Sequence, residues 1–121
     1  MKYLCLAYGD KSKMEALSKA QMDALGRDCL PYMEDLKKSG HLVSDNGLEW
    51  QSTIIRPRNG KASITDGPFT ESKEQVGGAF VIEAQDMNEA VRIASKHPAA
   101  HLGEHLGWGI EVRPMAHFEG Q

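Results

Sequence analysis

The chain has 121 residues, of which 40% are apolar and 26% are charged, and its formal net charge at pH 7 is −3. This length predicts one domain over residues 1–121, and the composition excludes a disordered or fibrous protein. Lys and Arg are scattered along the chain rather than gathered into a stripe, which argues against a nucleic-acid partner.

The apolar runs of this sequence are short. One of the longest, residues 3–8, is far below the roughly 20 residues that cross a bilayer. The N-terminus also lacks a signal-peptide layout. We therefore expect a cytoplasmic protein without a membrane partner.

The first predicted element is a strand at residues 2–8, which is apolar on both faces and stops at Gly9. Cys5 lies in this strand and Cys29 in the predicted helix that follows, with no CxxC or Cys/His metal spacing. Buried free thiols are therefore favoured over a disulfide.

An amphipathic helix is predicted over about residues 19–39, where apolar side chains recur at three- and four-residue steps. Ser18 and Gln21 form a capping-box pattern at its start, and Gly40 suits the left-handed residue that follows a helix. Pro31 lies inside the pattern and removes a backbone hydrogen bond, so a kink or an earlier break is an open alternative.

The middle of the chain predicts short strands joined by turns. Residues 41–43 include the apolar pair Leu42 and Val43, residues 45–47 carry a turn signal, and residues 52–56 form a further strand. The Asn-Gly pair at residues 59–60 indicates a tight hairpin, because both central positions need a positive φ, and residues 62–65 are its returning arm.

A polar stretch at residues 70–75 is predicted to be a loop or one helical turn. Residues 79–84 form a second strand that is apolar on both sides. Asp86 and Glu89 are expected to cap a second helix. Its predicted buried stripe comprises Met87, Ala90, Val91 and Ala94.

The last predicted element is a strand at residues 109–114. It places Ile110 and Val112 on one face and Glu111 and Arg113 on the other. Arg113 and Glu111 are candidates to hold an anionic substrate through a guanidinium fork. A structural ion pair is the alternative.

The order of these elements indicates an α+β fold, a ferredoxin-like antiparallel sheet with two helices on one face. The strands at residues 3–8 and 79–84 are apolar on both faces, so the sheet face without helices would expose a large apolar patch. A two-fold homodimer with its sheets packed face to face would cover that patch. The alternative is that residues 41–75 fold over the open face.

A motif in the middle of the chain resembles a known family. The sequence Asp-Gly-Pro-Phe at residues 66–69, the Gly pair at residues 77–78 and residues 111–114 together resemble the DGPF proteins of the YCII-related family, over essentially the whole chain. The resemblance implies a dimeric α+β barrel of ferredoxin-like subunits, a cleft between sheet and loops, and no established activity for most members. It also implies a link to bacterial sigma factors of the extracytoplasmic-function type. Relatives with this architecture include cofactor-free oxygenases, lactone isomerases and haem enzymes.

An acidic cluster beside this motif is the first candidate site. Asp66, Glu71 and Glu74 accompany the cation Lys73, and neighbouring like charges favour a protonated carboxyl beside an ionised one, which suits general acid and base catalysis. A solvated turn with an Asx hydrogen bond from Asp66 is the alternative. The catalytic candidates are Asp66, Lys73, Glu74 and His101.

Three histidines, His97, His101 and His105, follow at four-residue spacing. On a continuous helix they would stack along one face and bind a metal, but Pro98 and two glycines interrupt such a helix. We therefore expect a loop whose His residues face solvent or substrate, with neither a metal nor an organic cofactor. The substrate-binding candidates are His105, Phe69, Glu111 and Arg113.

Two functions are compatible with these features. The first is a small cofactor-free enzyme that acts on a small organic molecule in a cleft, with Asp66 or a nearby His moving a proton. The second is a non-catalytic ligand-binding or regulatory module, which the resemblance links to a sigma factor. Trp50, Trp108, Tyr32 and Phe69 are candidates to line an apolar pocket, although aromatic residues near strand ends lie more often in a core or interface.

Overall fold

A computed structural model describes residues 1–69 and 72–116. In chain order the elements are β1 (Lys2–Asp10), α1 (Lys11–Glu15), α2 (Lys19–Lys38), β2 (Leu42–Gly47), β3 (Thr53–Arg58), β4 (Lys61–Asp66), β5 (Glu74–Glu83), α3 (Met87–Ala94) and β6 (Gly109–Pro114). Two short 3-10 turns, Pro98–Ala100 and Glu104–Leu106, connect α3 to β6. No helix in this described part is long and apolar enough to cross a membrane.

Four strands form one antiparallel sheet in the order β2, β5, β1, β6. β1 and β5 lie in the middle of the sheet, which agrees with their apolar residues on both faces. α2 follows β1 and α3 follows β5, so a helix crosses over the sheet after each central strand. This is the ferredoxin-like arrangement, and it confirms the predicted α+β fold.

The core lies between one face of this sheet and the helices α2 and α3. Tyr3 and Cys5 of β1, Phe80 and Ile82 of β5, and Leu36 of α2 are almost fully buried there. Alternate strand residues point into the core because successive side chains of a strand face opposite sides of the sheet. The helix-free face therefore carries the intervening positions.

The predicted helix boundaries at α2 are confirmed. The Ser18 hydroxyl accepts from the backbone N–H of Gln21, and the Gln21 side chain accepts in return from the backbone N–H of Ser18. Gly40 follows the helix with φ of 78°, as a left-handed residue at a helix end should. The helix is continuous through Pro31, so the earlier break is absent. Pro31 and Arg27, whose carbonyl loses its partner, are both exposed, so water can hydrate that carbonyl.

The predicted turn at residues 45–47 is wrong, because these residues belong to β2. Asp45 lies opposite Phe80, and Gly47 lies opposite Gly78 in the β2–β5 register. β5 begins at Glu74 and is much longer than the predicted strand, so it offers backbone partners to a segment whose local sequence favours a turn.

Helix α1 was not predicted. It has five residues, too few for a periodic apolar pattern. Asp10 caps it, since one of its carboxylate oxygens accepts from the backbone N–H of Lys13 at 3.1 Å.

The predicted hairpin is confirmed at β3 and β4. Asn59 and Gly60 have φ of 52° and 76°, which the turn requires. β3 and β4 form a separate two-stranded sheet. Ile55 and Ile64 lie opposite each other on this hairpin and are 64% and 68% exposed. Ile55 and Ile64 are therefore not buried against the main sheet, as they would be if residues 41–75 covered its open face, which was the alternative to a dimer.

The buried stripe of α3 differs from the predicted one. Ile93 is fully buried with Ala90 and Ala94, whereas Met87 and Val91 are exposed. The face formed by Ala90, Ile93 and Ala94 has helical i, i+3, i+4 spacing. This face packs in the core with the residues of the sheet. In the polar stretch predicted at residues 70–75, residues 70 and 71 lie outside the described residues. Its last two positions already belong to β5.

Candidate functional site

A mostly apolar cavity of about 270 Å³ lies at the end of the sheet where β1 meets α1. Its walls come from β1, β5, α1, α2, the loop before β3 and the turns after α3. The lining residues are Ala7, Tyr8, Gly9, Met14, Cys29, Met33, Trp50, Gly77, His97, Pro98, Ala99 and Trp108. Concave, largely apolar sites with a few polar groups are the usual form of small-molecule sites.

His97 is the principal polar side chain of this cavity. It follows α3 and precedes the turn Pro98–Ala100, where its Nδ1 accepts from the backbone N–H of Ala99 at 3.0 Å. Its ring stacks on Phe80 with centroids 4.6 Å apart. Because Nδ1 is an acceptor in this bond, the neutral ring carries its proton on Nε2. The free ring nitrogen is therefore a hydrogen-bond donor.

Burial lowers the pKa of His97 below the ordinary value of 6.5, and the nearby Asp45 carboxylate opposes that shift. Loss of solvation disfavours the charged imidazolium. The ring is accordingly neutral at pH 7.

Two further ionisable groups line the cavity, and both are neutral at pH 7. Burial raises the pKa of the Cys29 thiol, with a smaller contribution from Asp28. Desolvation raises the pKa of Tyr8, whose hydroxyl donates to a carboxylate oxygen of Glu111 at 3.2 Å. The cavity thus holds donors and a thiol but no resident charge.

Two indole rings and bare backbone shape the cavity. A Cβ atom placed on Gly9 would lie 3.3 Å from Cδ1 of Trp108 and 3.6 Å from Cη2 of Trp50. A Cβ on Gly77 would lie 2.9 Å from the same Trp50 atom, closer than side chains pack. The two glycines therefore allow the indoles to approach the backbone of β1 and β5.

The acidic loop, which contains Asp66 and Glu74, lines grooves next to the cavity. Tyr8 and Trp50 line both the cavity and an outer groove of about 580 Å³, which also contains Phe69 and Glu74. Trp50 further lines a groove that contains Asp66. Trp50 therefore separates the predicted acidic residues from the cavity that contains His97.

The predicted cluster is only partly assembled. Lys73 lines a third groove, beside α1, and Glu71 lies outside the described residues. Among residues 1–69 and 72–116, Lys73 forms no ion pair with Asp66 or Glu74. The ring of Phe69 instead lies under the guanidinium of Arg56, 4.1 Å from its centroid.

The three histidines predicted at four-residue spacing do not share a surface. α3 ends at Ala94, before the first of them. His101 stacks on Tyr32 with centroids 5.2 Å apart, and its Nε2 is hydrogen-bonded to the carbonyl of Ser95. His105 is exposed in the turn Glu104–Leu106. No group of three or more His, Cys, Asp or Glu side chains in the described part of the chain could hold a metal ion.

Glu111 and Arg113 lie on the helix-free face of β6, as predicted, while Val112 and Ile110 pack against the core. Glu111 lies opposite Leu6 and Arg113 opposite Leu4 in the β1–β6 register. The structure thus brings Glu111 to the hydroxyl of Tyr8. Glu111 and Arg113 lie apart from His101, which contacts Tyr32 and Ser95.

Sequence reasoning did not select Tyr8, and it named His97 only as one of three histidines in a loop expected to face solvent or substrate. A His directly before Pro after a helix marks a capping position, which was a usable signal for His97. Nothing local indicates that its ring would turn inward onto Phe80, because that contact joins distant parts of the chain.

The fold and the cavity together define an α+β protein of the ferredoxin-like type, with an apolar cleft at one end of its sheet. The chain belongs to the YCII-related family, since the YCII-related domain matches residues 1–115. This confirms the resemblance seen in the sequence.

Known proteins similar to this chain include a sequence relative and a solved structure. An uncharacterised protein from Rhizobium meliloti (strain 1021) is 29% identical over 121 residues, which cover 98% of this chain and 95% of that protein. The structure of 5-chloro-2-hydroxyhydroquinone dehydrochlorinase from Burkholderia phenoliruptrix AC1100, in complex with 2,5-dihydroxybenzoquinone, aligns with a TM-score of 0.53 and 16% identity, over 98% of this chain and 97% of that one. The second likeness concerns the fold.

Proposed function

We propose that this protein is an enzyme that acts on a small oxygen-bearing organic molecule, with the neutral imidazole of His97 as a hydrogen-bond donor. The observation that carries the proposal is the bond from the Ala99 N–H to Nδ1 of His97, which leaves Nε2–H for a ligand. Burial keeps the ring uncharged. A preorganised neutral donor in an apolar site stabilises negative charge that develops on a carbonyl or phenolic oxygen.

The proton acceptor in this proposal comes from the outer grooves. Glu74 shares the groove lined by Tyr8 and Trp50, and Asp66 lies in the groove on another side of Trp50. Because Trp50 lines both the cavity and these grooves, the carboxylate acts on the part of the substrate that extends past Trp50, while the substrate oxygen lies at His97. Lys73, next to this loop, supplies a positive charge for an anionic substituent.

The chemistry of the structural neighbour supports this choice of substrate. Its name describes the removal of hydrogen chloride from a chlorinated hydroxyhydroquinone, and its bound ligand is 2,5-dihydroxybenzoquinone. Both molecules are small rings with several oxygen substituents, which a donor such as Nε2–H of His97 can polarise.

The test is a turnover assay with hydroxylated and chlorinated hydroquinones. His97→Asn retains an oxygen that can cap the turn at Ala99 but removes the imidazole, and we expect kcat to fall by about 100-fold or more. His41→Asn is the matched control, since His41 hydrogen-bonds the Glu83 carbonyl at the opposite end of the sheet. Full activity in His97→Asn would refute the role of His97, and a loss confined to His101→Asn or Asp66→Asn would restore the residues predicted from the sequence.

A ligand-binding module without turnover is the second candidate function. It is favoured by the same Ala99 bond, because an occupied Nδ1 leaves the cavity without a free base. In this role the protein would hold a small molecule and transmit its presence to a partner such as an extracytoplasmic-function sigma factor. A ligand that raises the melting temperature but is recovered unchanged would support it.

We also propose that the working form is a homodimer. Leu4 and Leu6 of β1 and Ala79 and Val81 of β5 lie on the sheet face opposite the core and are half-buried. The exposed Ile55 and Ile64 add apolar surface on the hairpin. A second copy that packs its sheet on this face would cover the apolar strands of both protomers.

A further inference from the structure

The two indole rings that converge on Gly9 belong to the only tryptophans of the chain. Trp50 precedes β3 and Trp108 precedes β6, so residues far apart in sequence meet above one backbone position. Their nearest ring atoms, Cη2 and Cδ1, would lie 3.6 and 3.3 Å from a Cβ atom at Gly9. Gly9 thus lies between the edges of both rings.

The need for glycine here is spatial. Neither Gly9 nor Gly77 has a positive φ, so their backbone conformations suit any residue. What excludes a side chain is the close approach of the indoles, since a Cβ at Gly77 would meet Trp50 at 2.9 Å. A methyl group at either position would fill the cavity or move an indole.

The remaining walls also favour an aromatic guest. Met14 and Met33 line the cavity, and thioether groups make favourable contacts with aromatic rings. The indole N–H of Trp108 is directed to the Met14 sulfur at 3.2 Å, which fixes the plane of that ring. The polar partner comes from His97, whose Nε2–H suits a ring with an oxygen substituent.

The size of the cavity limits the guest to a small molecule. Ligand sites commonly span about 300–1,000 Å³, and this cavity, at about 270 Å³, falls below that range. One ring fits such a volume.

We infer that the cavity binds a flat, unsaturated six-membered ring against the indoles of Trp50 and Trp108, and that Gly9 determines the space for it. The location of this ring site rests on the proposed function. The inference itself concerns binding, and it holds whether or not His97 acts in turnover. Ring stacking discriminates flat rings from puckered ones of the same ring size and substituent positions, because only a flat ring contacts an indole over its whole face.

Two probes and the two indole signals test the inference. In a ¹⁵N-labelled sample each tryptophan gives one indole N–H resonance, so the cavity has two reporters. Hydroquinone is the flat probe, and cyclohexane-1,4-diol is the puckered control with the same hydroxyl groups. We expect hydroquinone to shift both resonances saturably and to bind at least ten-fold more tightly than the diol. Equal affinities, or indole resonances that do not respond to hydroquinone, would overturn the inference.

Variants separate the role of Gly9 from that of catalysis. Gly9→Ala should weaken hydroquinone binding at least ten-fold, whereas Gly26→Ala, on an open position of α2, should leave it unchanged. Trp50→Leu provides a second variant should Gly9→Ala not fold, and it should weaken binding as read from the Trp108 resonance. Wild-type affinity in both Gly9→Ala and Trp50→Leu would contradict the inference.

His97→Asn distinguishes failure of this inference from failure of the proposed function. Hydroquinone binding at the indoles with unchanged turnover in His97→Asn would sustain the ring site and refute the role of His97. A loss of turnover in His97→Asn, with no indole response to hydroquinone, would support the role of His97 and refute the ring site.

Discussion

The imidazole of His97 lies flat on the phenyl ring of Phe80, with centroids 4.6 Å apart and planes 3° apart. Phe80 is 1% exposed in the central strand β5, so its position is set by the core. The stacking and the Ala99 hydrogen bond together hold the ring of His97 in one orientation. A polar group in the cavity is thereby positioned by the most buried part of the sheet.

The first prediction concerns the pH dependence of stability. Burial lowers the pKa of His97 in the folded state, while the unfolded chain has a value of about 6.5. In the window just below that value the unfolded state binds more protons, so the free energy of unfolding should fall as the pH decreases. The contribution is fully present above about pH 6.5 and is lost as the pH falls toward the folded-state pKa.

Urea denaturation between about pH 7.5 and about pH 5.5 measures this effect. His97→Asn, which cannot titrate there, should show a flatter dependence than the wild type. Parallel curves for the two proteins would show that His97 does not couple to folding.

The second prediction compares a glycine inside α2 with the glycine that follows this helix. Gly26 lies inside α2 and Gly40 follows it, and a Cβ at either position meets no atom within 4 Å. Gly26→Ala should raise the free energy of unfolding by about 0.5–1 kcal/mol, because it removes the backbone freedom of the unfolded chain. Gly40→Ala should lower it by about 1 kcal/mol, because φ there is 78°.

Chemical denaturation of the two variants checks both signs in one experiment. An increase in stability for Gly40→Ala would contradict the left-handed helix end.

A third prediction tests the buried face of α3. Ile93→Ala should cost about 2–5 kcal/mol, since the side chain is fully buried. Val91→Ala should change stability by no more than about 0.5 kcal/mol, since Val91 is 48% exposed. The reverse order of the two effects would favour the stripe predicted from the sequence.

The fourth prediction concerns the proposed homodimer. Val81→Glu places a charge on the helix-free sheet face, and light scattering at micromolar concentration should show a shift from dimer to monomer. Leu30→Glu is the control, since Leu30 is 57% exposed on α2, and its particle mass should match the wild type. A wild-type protein that is already monomeric would exclude the face-to-face dimer.

Local features were predicted well because their energetics involve few neighbouring residues. The Asn59 and Gly60 turn depends on two backbone angles. The capping box depends on two side chains three positions apart. All the interactions that form each feature lie within one short stretch of sequence, so the sequence alone is enough to predict it.

Features that depend on a distant partner were predicted less well. The segment around Asp45 has the composition of a turn and becomes a strand because β5 pairs with it. Ile93 rather than Val91 is buried because the sheet determines which side of an eight-residue helix faces inward. A short amphipathic pattern leaves that choice open.

The sequence by itself determined the α+β class, the Asn59–Gly60 turn, the capping box of α2 and the resemblance to the YCII-related family. The class, the turn and the cap follow from apolar periodicity, capping and turn chemistry, which act over a few residues, whereas the family was seen from its motifs. Only the tertiary structure decided that His97, Tyr8 and the two indoles surround one cavity, and that Trp50 stands between it and the acidic loop. These four residues lie on separate segments, and their meeting is fixed by strand register and core packing, which a linear pattern does not contain.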